Sequence, residues 1–160
     1  MQTKPALQRV VVGLPVLNND VLLGLRKKVS RGLGQNLISG IGGKCEENAS
    51  DEQALIREFS EEVMIKLREF NKVGEVIFLF PHKPKWNQKC SIYVVNKWDK
   101  IPAETDVIKP LWFQKNKLPK TQMWQDNLLW LPLILQNKKV KGIFLYNEVN
   151  NVIENTLEEI

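Results

Sequence analysis

The sequence predicts an α/β fold, a mixed β-sheet sandwiched between α-helices. Three observations carry this. Segments rich in β-branched and aromatic residues recur along the 160-residue chain, only two segments read as helices, and no Pro/Gly/Ser-rich linker or repeat divides it. The length suits one domain, expected here to span residues 1–160, with a full core.

The elements follow in order. Gln8 to Leu17 reads as a strand that ends at the turn signal Asn18-Asn19-Asp20, and Val21 to Lys27 reads as its partner. A glycine-spaced loop follows, with Gly32, Gly34, Gly40, Gly42 and Gly43 around Leu37-Ile38. Ser50 offers a hydroxyl N-cap, and Asp51 and Glu52 suit the positive end of the helix it opens. Leu55, Phe59, Val63 and Leu67 repeat about every four residues and predict its buried face. Val73 to Phe80, Lys89 to Trp98, Val107 to Phe113 and Lys141 to Tyr146 read as strands. Asp126 to Gln136 reads as a second helix that Asp126 can cap, and Val149 to Ile160 fits helix or strand.

Composition narrows the function classes. The chain is 43% hydrophobic and 26% charged, ordinary for a globular protein. A formal charge of +5 suits anionic partners without choosing among them, and lysines such as Lys27, Lys28, Lys83, Lys85 and Lys141 read first as a solvated surface. Cys45 and Cys90 make neither a disulfide framework nor a metal spacing, which points to a reducing compartment. Val10 to Val16 is broken by Gly13 and Pro15 and reads poorly as a signal peptide, and Leu128 to Leu135 is far too short to span a membrane. A cytoplasmic chain is expected.

The most informative stretch is Gly42 to Ile65, which joins the glycine loop to a helix carrying Arg57, Glu58, Glu61 and Glu62. On a 3.6-residue period the three glutamates share one face, with neighbouring Cβ atoms about 5–6 Å apart. Carboxylates that close repel one another, and a hard divalent cation relieves the repulsion. The bland alternative is a solvated, glutamate-rich helix.

Here the chain resembles the Nudix hydrolases. Gly43 opens their signature, Arg57-Glu58-Phe59-Ser60-Glu61-Glu62 matches its metal-binding core in full, and Ile65 closes it. Ala49 stands where the signature has Glu, and Met64 where it has Gly. Glu46, Glu47 or a water is then expected to serve Arg57, and the helix is expected to run on through Met64. Val21-Leu22-Leu23-Gly24, Leu111-Trp112-Phe113, Met123 to Asn127 and Leu129 to Leu133 are similar to the branch that hydrolyses oxidised purine nucleoside triphosphates of the 8-oxo-dGTP type.

The resemblance implies a Nudix fold and Mg²⁺, with Mn²⁺ as a substitute, held by Glu58, Glu61, Glu62 and the Gly42 carbonyl. The glutamates are then the catalytic set, one of them a base, and Arg57 orients carboxylates. It places Arg26, Ser39, Ile41, Gly43, Lys44, Trp124, Asp126 and Asn127 around substrate, with Lys27 a less favoured stand-in for Arg26. Trp124 would stack on the base and Asp126 would read its edge, donating if protonated. The competing reading makes Trp124 core packing and Asp126 a helix cap.

Asn127 replaces the branch's second carboxylate, Ser39 its pocket asparagine, and Val107 a metal-binding Glu; Glu104 and Asp106 lie nearby. The expected partner is a small nucleotide, with no membrane, no favoured nucleic acid and a monomeric state. Two alternatives stand beside this: a Nudix enzyme for another diphosphate such as a nucleotide sugar or capped RNA, and a non-catalytic nucleotide- or RNA-binding module.

Overall fold

The computed structural model describes residues 7–27 and 36–160. Lys28, Gly32 and Gly34, invoked above, lie outside the described residues. In chain order the elements are β1 (Gln8–Leu17), β2 (Asp20–Arg26), β3 (Ile38–Ser39), β4 (Ile41–Lys44), α1 (Asp51–Val63), β5 (Lys66–Leu79), β6 (Gln88–Asp99), β7 (Ile108–Gln114), α2 (Asn127–Leu135), β8 (Val140–Tyr146) and β9 (Val152–Glu159). The strands join in the order β3-β2-β1-β6-β5-β8-β9, with β4 also paired to β1 and β7 to β2. Parallel pairs (β1 with β6, β5 with β8) and antiparallel pairs make the sheet mixed, as expected.

Alternation along β1 explains the layers. Val10, Val12, Leu14 and Val16 face one core, which also holds Trp130, Leu131 and Ile134 of α2. Val11 faces the other core, with Leu55, Phe59 and Val63 of α1. Gly13 lies directly under α1, where a Cβ would sit 2.4 Å from the Phe59 ring. The missing side chain lets the helix approach, and burying Phe59 completely stabilises the packing by about 1.5–3 kcal/mol.

Several expectations change. Part of the glycine loop is strand, because the backbone of residues 41–44 pairs antiparallel with Val10 to Gly13. The first helix does not run on through Met64. It stops at Val63, with Met64 in the left-handed region at φ 62°, and the Met64 and Ile65 amides both turn back to the Phe59 carbonyl. Leu67 is buried, but as a residue of β5 paired opposite Trp98, not as part of the helix face. Asp126 precedes α2 without capping it by its side chain. The ambiguous tail is strand β9, antiparallel to β8.

Candidate active site

Helix α1 is fixed at its N-terminus before it presents any carboxylate. Ser50 accepts from the Gln53 amide at 3.1 Å, and the Gln53 side chain accepts from the Ser50 amide at 2.9 Å, a reciprocal capping box. Asp51 ties this end to the sheet: Ser91 Oγ donates to it at 2.8 Å and Arg9 Nη2 at 3.0 Å. Burial pushes the Asp51 carboxyl up, but those two hydrogen bonds outweigh it and hold it below the ordinary carboxylate value.

One turn and more along, Arg57 gathers three oxygens. It donates to Glu58 Oε1 and to the Lys44 carbonyl, both at 2.9 Å, and pairs with Glu46 at 2.9 Å. Glu46 thus supplies the partner that Ala49 cannot. The Glu58 carboxylate lies over Gly43, where a Cβ would fall 2.7 Å from its Cδ. At Gly42 a Cβ would stand 1.9 Å from the Val11 carbonyl oxygen, so that position excludes any side chain.

Glu62 is only 8% exposed, and its Oε2 is buried without a hydrogen-bond partner. Its Oε1 lies 3.7 Å from Arg26 Nη1, while Arg26 Nη2 donates to the Gly42 carbonyl at 3.5 Å. Burial pushes the Glu62 carboxyl up to about 7; Arg26 opposes that rise, and Glu58 and Glu61 add to it. Glu61 is exposed beside them and does not line the cleft.

Glu58 and Glu62 stand at one end of a cleft of about 750 Å³, a size suited to a small ligand. Gly42, Gly43, Lys44, Arg26 and Ser39 share that wall, with the Ser39 hydroxyl turned to the Gly40 carbonyl at 3.1 Å. Ile41 does not: it is fully buried in the core beneath α1, because alternation along β4 turns it from the cleft. Val107 lines the cleft in place of a carboxylate, and Glu104 is held by Lys27 at 2.7 Å.

The other end is aromatic. Phe80 stacks on Tyr146 at 5.1 Å and 10°, and Trp124 meets Tyr146 edge-on at 5.5 Å and 89°. Asp126 and Asn127 line this end too. Both Asp126 oxygens are engaged: the Tyr146 hydroxyl donates to Oδ1, and the Trp130 indole donates to Oδ2 at 2.8 Å. Sequence reasoning missed Tyr146, Phe80 and Trp86 as wall residues. Alternation along β8 marked Tyr146 as inward-facing, but nothing local linked it to Asp126, twenty positions earlier.

The NUDIX domain family profile matches residues 7–134, most of the chain. The chain belongs to the Nudix family. It is 34% identical over 160 residues to the oxidized purine nucleoside triphosphate hydrolase of Danio rerio, spanning 100% of this chain and 98% of that one. The Mus musculus protein of the same name is 32% identical over 140 residues, 88% of this chain and 87% of its own. In fold, this Nudix chain is similar to the crystal structure of a MutT protein from Bacillus halodurans, with a TM-score of 0.80 and 20% identity over 95% of this chain and 98% of that one.

The donors of this Nudix chain fit a hard divalent cation. A buried carboxylate oxygen without a partner, a second carboxylate and a backbone carbonyl adjoin one another at Glu62, Glu58 and Gly42. Among the described residues no three Asp, Glu, His or Cys side chains converge as a finished cage. That suits Mg²⁺, which usually takes one or two carboxylates and completes its shell with water and substrate phosphate. No helix among the described residues is long and apolar enough to cross a membrane.

Proposed function

We propose that this Nudix chain is a Mg²⁺-dependent hydrolase of oxidised or otherwise modified purine nucleoside triphosphates, such as 8-oxo-dGTP, releasing the monophosphate and pyrophosphate and so clearing damaged precursors from the nucleotide pool. The observation that carries this reading is a single cleft with carboxylates at one end and an aromatic slot at the other. The names of the two relatives above point the same way. We take the chain as one catalytic domain, acting as a cytoplasmic monomer on a small-molecule substrate.

Glu58 and Glu62 would hold the cation with the Gly42 carbonyl, and Glu61 would reach it through its exposed carboxylate. Bound there, the cation polarises phosphate oxygens and makes a water more acidic; Mn²⁺ can supply the same chemistry. The residues of the chain do the rest. Arg57 keeps Glu58 aimed across Gly43, and Arg26 keeps the Gly42 carbonyl and Glu62 together. Lys44, exposed at the cleft wall, attracts the triphosphate. One glutamate takes the proton of the water as its oxygen adds to phosphorus and the anhydride bridge between α and β phosphates breaks. Trp124 gives the purine a flat wall, with Asp126 and Asn127 beside it.

The test is product analysis with purified protein and Mg²⁺ over oxidised and unmodified nucleoside triphosphates. Monophosphate and pyrophosphate are expected, and chelation should stop their release. Turnover of nucleotide sugars or capped RNA with triphosphates untouched would replace the substrate assignment. Binding without hydrolysis would make the chain a nucleotide-binding module.

A further inference from the structure

We propose that Tyr146 is a positioning residue that withdraws Asp126 from the substrate, leaving the amide of Asn127 to read the purine edge. This rests on the purine triphosphate reading above and deepens it.

The argument begins with hydrogen-bond capacity. The Tyr146 hydroxyl donates to Asp126 Oδ1 and itself accepts from the Asp126 backbone amide at 3.2 Å. Trp130 is a donor only, so Oδ2 must accept from it at 2.8 Å. Asp126 is 3% exposed and bridges β8 to α2 through these contacts. A carboxyl clamped by two groups of its own chain, one on each oxygen, is poorly placed to follow a base. Its work is to hold the Tyr146 and Trp130 rings, and through Tyr146 the edge-on Trp124, in place.

Asn127 is the opposite case. It is 5% exposed, lines the same end of the cleft, and its side chain makes no hydrogen bond to any described residue. Its amide atoms are not sealed from the cleft as Glu62 Oε2 is, so water can satisfy them in the free protein, and a ligand that replaces that water must match them. A base edge can. The amide offers NH₂ and C=O side by side, so it pairs with an acceptor–donor edge or, rotated, with a donor–acceptor edge. It therefore accepts guanine-type and adenine-type edges alike, without a change of protonation state. Discrimination between the two should be shallow.

The experiment measures kcat and KM with Mg²⁺ for 8-oxo-dGTP, dGTP, 2-hydroxy-dATP and dATP in the full-length wild type, Tyr146→Phe, Asn127→Leu and Asn127→Asp, each checked by thermal unfolding. Asn127→Leu should raise KM about tenfold or more for every purine that wild type accepts, with kcat kept within a few fold. Tyr146→Phe frees Asp126 Oδ1 and should shift the guanine-to-adenine ratio of KM about tenfold, a change that simple loosening of the pocket would not produce. Asn127→Asp, which leaves the Tyr146 contacts intact, should shift the same ratio if Tyr146→Phe fails to fold. If Asn127→Leu leaves KM within twofold, or the carboxylate-changing variants leave the ratio unmoved, the inference is overturned while the triphosphatase reading stands. If wild type hydrolyses none of the four, both fall together.

Discussion

Replacing Gly43 by alanine should separate catalysis from stability. The new Cβ would lie 2.7 Å from the Glu58 Cδ and Oε1 and 2.8 Å from Oε2, against about 3.4 Å for ordinary contact. The carboxylate must therefore retreat by about 0.7 Å, and its 2.9 Å hydrogen bond from Arg57 must stretch or turn. The group that moves is the end of a flexible side chain, so the fold loses little, about 1 kcal/mol or less. A misplacement near 1 Å in a reacting constellation costs about a hundredfold in rate, so kcat should fall roughly tenfold to a hundredfold. The control is Gly42→Ala, whose Cβ would fall 1.9 Å from a backbone oxygen of β1 and must break the β1–β4 pairing. Steady-state hydrolysis of 8-oxo-dGTP beside a thermal melt reads both quantities. If Gly43→Ala keeps kcat within twofold while melting normally, the position of Glu58 does not govern turnover.

Other predictions follow from the same geometry. Met64→Gly should stabilise the protein: relief of a left-handed residue is worth about 1–2 kcal/mol, less about 0.5–1 kcal/mol of added unfolded-state entropy, and Met64 is 57% exposed, so little packing is lost. A rise of a few degrees in Tm is expected, and a fall would contradict the assignment of strain. Glu62→Gln should abolish turnover yet raise the Tm of metal-free protein at pH 8. The folded-state pKa of Glu62 is raised, so stability drops as pH climbs from the ordinary carboxylate range through about 7 and the buried group ionises. For the same reason Mg²⁺ should raise the wild-type Tm more at pH 8 than at pH 6, and equal shifts would remove Glu62 from the metal site. Asp51 has the opposite sign: held low, it stabilises above the ordinary carboxylate pKa and loses that contribution as pH falls through its folded value. Asp51→Asn should flatten acid unfolding below about pH 4, measured by circular dichroism.

The carboxylate cluster was legible because helical periodicity alone brings residues 58, 61 and 62 together. Which of them face the cleft was not, since the exposure of Glu61 and the burial of Glu62 depend on Arg26 and β4 arriving from elsewhere. The end of α1 was misread for an instructive reason. Leu67 continues the spacing of Leu55, Phe59 and Val63 and is buried like them, but it belongs to β5. A methionine at the signature's glycine position hides the usual mark of a left-handed helix end, and burial without its axis looks like periodicity. At the aromatic end, Trp124, Asp126 and Asn127 were placed by the family resemblance, whereas the hydrogen bonding of Asp126 depends on a hydroxyl contributed from β8. Local pattern finds candidate groups, and long-range contacts decide which of them are already occupied.

The parallel pairing of β1 with β6 sets Gln8 opposite Gln88 and Pro15 opposite Val95, across some 80 residues of intervening chain. During synthesis at about 5–20 residues per second, β1 must wait several seconds for this neighbour. The aromatic end of the cleft waits longer still, for Tyr146 on β8. The carboxylate end, built from β1, β4 and α1, lies within the first 63 residues. The residues of the candidate carboxylate end are thus all synthesised well before Tyr146, so the aromatic end is the last part of the cleft whose chain becomes available.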